Sequence, residues 1–169
     1  MLIDCSYFTK GPRHILNASM GTMPNPNATE VNQAIEAYIS EYQERFLCRM
    51  LGNAHGNKVH TYLVCLDEDE NPKHKEHFDD VCERLKESFA DYVFFHILRD
   101  SNTQSTITGL VQLKCANEYV APIRRQVIVW NDMVERNRMF AEWVKTSECK
   151  ISGISVSEEM KTRINQFNL

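Results

Sequence analysis

The sequence predicts a mainly α fold: a small helical bundle of long amphipathic helices with one short extended hairpin or loop arm. Three observations carry this. Apolar residues recur at spacings of three and four over residues 27–52, 71–98 and 122–144, and that period gathers them on one face of a helix. The chain has 169 residues, enough for one domain that buries on the order of two-thirds of its unfolded surface. The few segments that alternate with period two are too short to form a stable sheet by themselves.

Residues 1–26 are irregular and punctuated by Gly11, Pro12, Gly21, Pro24 and Pro26; Leu2, Ile3, Tyr7, Phe8, Ile15 and Leu16 keep no period. Asn27 with Glu30 three residues on makes a capping box that starts the first helix. Its stripe passes through Val31, Ile35, Tyr38, Ile39, Tyr42, Phe46 and Met50 until Gly52 supplies a left-handed C-cap. Such a helix is about 35 Å long. In residues 53–71, Val59, Thr61, Leu63 and Cys65 alternate with His60, Tyr62 and Val64, which predicts a short strand or extended loop. The acidic run Asp67, Glu68, Asp69 and Glu70 reads as a solvated loop, since a hard-cation loop needs separated ligands and a glycine turn. Asn71 and Pro72 are an N-cap and a first helical proline. The helical region after them carries Phe78, Val81, Leu85, Phe89, Tyr92 and His96 on one side and is apolar nearly all round at 93–98. A break near Ser88 would divide it into two helices.

Residues 103–116 are short and loop-like, with Val111, Leu113 and Cys115 on one alternating face after Gly109. This predicts a hairpin arm or short strand that needs a neighbour, with another subunit as one source. Pro122 opens the last long helix. Ile123, Val127, Trp130, Val134, Asn137, Ala141 and Val144 form a heptad-like seam with one polar interruption at Asn137. Met133, Phe140 and Trp143 widen it, and Arg124, Arg125, Glu135, Arg136, Arg138 and Glu142 populate the other face. Residues 1–146 therefore read as a helical domain with an N-terminal arm, and 147–169 as a polar tail. A tail with so few apolar points cannot bury them itself and is expected to order against a partner.

The net charge of −4 gives no broad basic field, which disfavours a dominant nucleic-acid role. No run of about 18 apolar residues predicts a membrane span. The first residues lack a basic start followed by an apolar core, so no secretion signal is expected. Six cysteines, none in a Cys-x-x-Cys pair, read as buried small hydrophobes or free thiols rather than a disulfide framework.

Candidate chemistry is sparse. His74, His77 and Cys82 approach a metal site, but a fourth ligand is missing and Lys73 and Lys75 add positive charge. His96 sits among apolar neighbours and reads as a core histidine. No Ser, Cys and His arrangement marks a nucleophile, and no glycine-rich phosphate loop is present. Arg124, Arg125, Arg136 and Arg138 read as solvated helix charges or as an anion-binding face. Trp130 and Trp143 read as core or interface anchors. Binding and assembly, without enzyme activity or a cofactor, is the expectation.

Several blocks in fixed order resemble the small head–tail connector (adaptor) proteins of tailed bacteriophages, with the nearest likeness to those of Bacteroides-infecting and crAss-like phages. They are Tyr7-Phe8-Thr9; Phe46 and Leu47 with Leu51-Gly52 closing the first helix; Ala90, Tyr92, Val93 and Arg99; the turn at Thr103 to Thr106; Gly109, Val111, Lys114 and Asn117; and Val120, Pro122, Ile123, Gln126, Trp130, Asn131, Met133, Val134 and Asn137. About three-quarters of the chain is covered. The resemblance implies a virion structural protein at the portal vertex, assembled in the bacterial cytoplasm as a ring, typically of twelve subunits, below the portal. It bridges the portal and further tail or ring proteins and lines the channel through which genomic DNA passes without sequence recognition. By the same likeness, portal contacts fall on Ile151, Ile154, Val156, Met160, Ile164, Phe167 and Leu169. Neighbour or channel contacts fall on the arm, at Gln104, Ile107, Leu110, Val111, Leu113 and Lys114. A phage-encoded helical regulatory or nucleic-acid-binding protein is the alternative, and a small metal enzyme around His74, His77 and Cys82 a more distant one.

Overall fold

The computed structural model describes residues 1–20, 26–68, 73–100, 103–106, 109–112 and 123–167. Four long helices dominate it: α1 (Pro26–Leu51), α2 (Asn53–Glu68), α3 (Glu76–Asp100) and α4 (Ile123–Trp143). Between α3 and α4 lie two short strands, β1 (Thr103–Thr106) and β2 (Gly109–Gln112). The helices stack in the order α2, α1, α3, α4, each against the next.

The arm before α1 is folded onto the bundle by a few anchors. Asp4 accepts the Ser6 N–H and so starts a 3₁₀ turn over Cys5–Phe8. That turn inserts Phe8, fully buried, towards Phe94 of α3, with Leu2 and Ile3 beside it. Arg13 then reaches α3, donating to Asp91 at 2.6 Å and to Glu87 at 2.5 Å.

Helix α1 ends where expected, at Gly52, whose φ of +79° is the left-handed conformation that closes a helix. The chain turns straight into α2, the Gly56 N–H bonding the Gly52 carbonyl at 2.8 Å. Here the expectation of a strand or loop fails over residues 53–68, and Asp67 and Glu68 of the acidic run, expected in a solvated loop, end this helix. Val59, Tyr62 and Leu63 are all buried, a three-and-four spacing hidden within the alternation, and packing against α1 overrides the β-branched composition. The two helices run antiparallel, with Gly56 on Cys48 and His60 beside Gln43. A Cβ on Gly56 would lie 2.5 Å from the Cys48 Cα, so the approach depends on the missing side chain.

Helix α3 is continuous through Ser88, so the break considered there is absent. It is the central helix: from Ser88 to His96 every residue is buried, because α1 covers one side and α4 the other. It begins at Glu76, after residues 73–75 in coil; Asn71, Pro72 and Asp69-Glu70 lie outside the described residues. Aromatic contacts join it to α1 through Phe46 and Phe89, 5.0 Å between ring centroids, and to α4 through Phe95 and Trp130, 4.8 Å.

On α4 the buried face is Gln126, Val129, Trp130, Met133, Val134, Asn137 and Phe140. Ile123, placed in the seam by heptad spacing, is 44% exposed; it is the first residue of α4, ahead of the first buried position, Gln126. The side chain of Asn27, Pro122 and Cys115 lie outside what is described.

Candidate assembly surfaces

The tail expected to wait for a partner is docked on its own chain. Asn137 Nδ2 donates to the Met160 carbonyl at 2.8 Å, and Arg138 Nη2 donates to Lys161 O at 2.9 Å. Trp130 Nε1 donates to Thr162 O at 2.9 Å. Asn131 both donates to Ile164 O (3.0 Å) and accepts the Ile164 N–H (2.9 Å). Residues 160–164 thus run antiparallel to α4, their backbone held by side chains from two turns of that helix. At the other end of the seat the Ser157 N–H satisfies the Arg49 carbonyl in the last turn of α1 (2.8 Å), and Arg49 pairs with Glu159 at 2.8 Å.

The expectation that the tail cannot bury its apolar residues is therefore corrected. Met160 is fully buried, and Ile151, Ile154, Val156 and Ile164 pack against the core. Each polar backbone group of 160–164 that meets α4 finds a side-chain partner there, so the segment orders without β or α partners of its own. A short helix near Ser157 is a single 3₁₀ turn, Glu159–Lys161. Phe167, by contrast, is 88% exposed. Leu169 lies outside the described residues.

The extended arm is a two-stranded antiparallel hairpin pairing Thr103 with Gln112, Gln104 with Val111, Ser105 with Leu110 and Thr106 with Gly109. The Thr103 to Thr106 segment is thus a strand rather than a turn. Among the described residues neither outer edge pairs with another strand, leaving two open backbone edges. Ile107, Leu113 and Lys114 lie outside the described residues. Further apolar exposure sits on the outer side of α4, at Ile128 and Met139, 52% and 73% exposed.

The sequence-level metal candidates do not converge: among the described residues no three His, Cys, Asp or Glu side chains form a group. His74 faces Asp79 at 3.3 Å, His77 lies against Phe78, and burial pushes the Cys82 thiol up to about 12. The arginines of α4 are largely committed inward. Arg125 donates to Pro12 O at 2.7 Å and lies over the Phe94 ring, and Arg136 pairs with Asp91 at 3.2 Å. Arg138 holds the tail.

Sequence reasoning missed the Arg13–Asp91–Arg136 cluster, in which burial pushes the Asp91 carboxyl up against the pull of both guanidiniums. The available signal was a lone aspartate inside the apolar run at 88–96.

No protein-family model, curated protein or solved structure matches the chain. The functional reading rests on the surfaces themselves. Among the described residues no helix is long and apolar enough to cross a membrane.

Proposed function

We propose that this chain is a structural subunit of a head–tail connector, an adaptor ring of about twelve copies below a phage portal. The observation that carries the reading is the hairpin whose two edges lack strand partners among the described residues. An isolated two-stranded hairpin is marginal in water, and a ring supplies what it lacks. Repeated heterologous contacts close when the rotation per subunit divides a full turn. The motif order that resembles phage connectors, and the exposed Ile128, Met139 and Phe167, agree with it. In this reading the arm meets a neighbour or the DNA channel. Portal contacts belong to the outward side of the tail and to Phe167, while Met160 stays in the core. Assembly takes place in the host cytoplasm and the ring ends in the virion.

The regulatory or nucleic-acid-binding alternative needs a free arginine face. Of the arginines that would make it, Arg125, Arg136 and Arg138 have internal partners and Arg124 is exposed; three of four turned inward weigh against the alternative.

The test is light scattering of the full chain, alone and mixed with the portal protein, beside a version with residues 103–112 replaced by a Gly-Ser loop. Portal-dependent ring mass that disappears with the hairpin is expected. A strict monomer indifferent to the portal overturns the proposal.

A further inference from the structure

Neither edge of the arm is guarded. Strands β1 (Thr103–Thr106) and β2 (Gly109–Gln112) have four residues each, and none of them is Lys, Arg, Asp, Glu or Pro. Their register is unbroken from Thr103 opposite Gln112 to Thr106 opposite Gly109, so no bulge turns an edge away. Proteins that keep strand edges in solvent blunt them with charge, proline or bulges. This hairpin carries none of these devices on either edge, and among the described residues no third strand pairs with it.

The composition narrows the partner. With no cation on either strand, the edges have nothing to set against a DNA phosphate. What they offer is a row of backbone N–H and C=O groups, and another extended strand is the complement of such a row. A second copy of this chain carries that complement. A two-fold contact would set β1 on β1 or β2 on β2 and stop at a pair, with the other edge of each hairpin still open. A contact of β2 with β1 of the next copy uses both edges of every copy and repeats until it closes. Hairpins related by one such step point nearly the same way. Because β1 and β2 are antiparallel within one hairpin, the new pair is antiparallel as well.

We propose that the hairpins join edge to edge, β2 of one copy on β1 of the next, into one closed antiparallel β ring around the channel. This rests on the ring reading above, and it names the neighbouring arm as the arm's partner in place of the neighbour's helices or DNA. About twelve copies contribute about 24 strands, more than the porin-type barrels that already enclose an aqueous channel.

The test uses the full chain assembled with the portal protein. Gln104→Cys and Val111→Cys are made singly, the second in isotope-labelled protein, beside the parent with its native cysteines. Each is assembled alone and as an equal mixture, then treated with a flexible bismaleimide able to bridge strands one pair out of register. Mass spectrometry identifies the joined peptides. A link from position 104 of one chain to position 111 of another is expected in the assembled mixture and in neither variant alone. In the parent, amide exchange over 103–106 and 109–112 is expected to slow at least about tenfold on assembly. Links of 104 to 104 or of 111 to 111 overturn the proposal in favour of two-fold pairing. A ring of full mass without the 104-to-111 link also overturns it and leaves the ring reading standing. If the variants fail to assemble while the parent does, exchange in the parent ring decides, and unprotected strand amides there overturn the edge pairing. A parent chain that never assembles with the portal removes the ring reading and the edge pairing together.

Discussion

Asn137 is the residue at which one side chain ties most of the molecule together. It is fully buried on α4, accepts from the Ser88 hydroxyl of α3 and donates to the Met160 carbonyl of the tail. Removing it leaves a buried hydroxyl and a buried carbonyl without their partner, which costs about 1–3 kcal/mol for each group left unsatisfied. Asn137→Ala is therefore expected to lower stability by about 2–4 kcal/mol in urea unfolding and to speed amide exchange over 160–164 first. A loss below about 0.5 kcal/mol would place the tail's anchorage elsewhere. His96 makes a different prediction at the same scale. It stacks on Tyr42 with centroids 4.0 Å apart and packs edge-on to Tyr92, with Arg99 and Asp100 from its own helix and Arg45 and Arg49 from α1 acting on its charge. Its folded pKa, about 3, lies below the ordinary value of 6.5. Between those values the unfolded chain binds the proton and the folded chain does not, so His96 contributes stability at neutral pH that is lost as pH falls through that window. The slope from this group is at most about 1.4 kcal/mol per pH unit. His96→Phe should flatten the stability profile between pH 6.5 and pH 3 relative to the parent; parallel profiles would show that the imidazole titrates freely in the fold.

Among the elements, the α1–α2 pair turns on a single glycine. With Cβ only 2.5 Å from the Cys48 Cα and 2.8 Å from the Leu47 carbonyl carbon, Gly56→Ala sets side chain against helix backbone, which cannot rotate away. Overpacking of this kind costs about 1–3 kcal/mol or somewhat more, against the usual gain from replacing glycine by alanine in a helix. A net fall in Tm is expected by thermal unfolding followed by circular dichroism, and a rise would mean that α2 shifts without cost. This glycine also explains what periodicity alone conveyed and what it did not. Helices α1, α3 and α4 were legible because long stripes such as Ile35, Ile39, Phe46 and Met50 admit only one period. Helix α2 was not: Val59, Thr61, Leu63 and Cys65 satisfy period two, while Val59, Tyr62, Leu63 and Leu66 satisfy the helical period equally well. The deciding fact, close backbone approach at Gly56, is tertiary. The tail seat was half legible. Asn137 stood out as a polar break in an apolar seam, but Asn131 and Arg138 bond to backbone carbonyls, and a carbonyl leaves no mark in a sequence.

At the level of the whole molecule, the tail belongs to the core and cannot be removed as an appendage. Deleting residues 147–169 would strip the fully buried Met160 from the bundle and take away the carbonyl partners of Trp130 Nε1 and Asn137 Nδ2. Loss of a buried methionine alone costs about 2–5 kcal/mol, and the orphaned donors add to it. The shortened chain is thus expected to melt far below the parent and to bind a hydrophobic dye, so its failure to assemble would say nothing about docking. Phe167 separates the two roles. It is 88% exposed, so Phe167→Ser leaves the melting temperature unchanged within error while removing a large apolar contact from any partner surface. If the tail meets the portal as proposed, this variant folds normally and binds the portal at least about tenfold more weakly, the range of an aromatic anchor at an interface. Undiminished portal binding by a normally folded Phe167→Ser chain would remove Phe167 from the portal contact and leave the hairpin as the surface on which assembly rests.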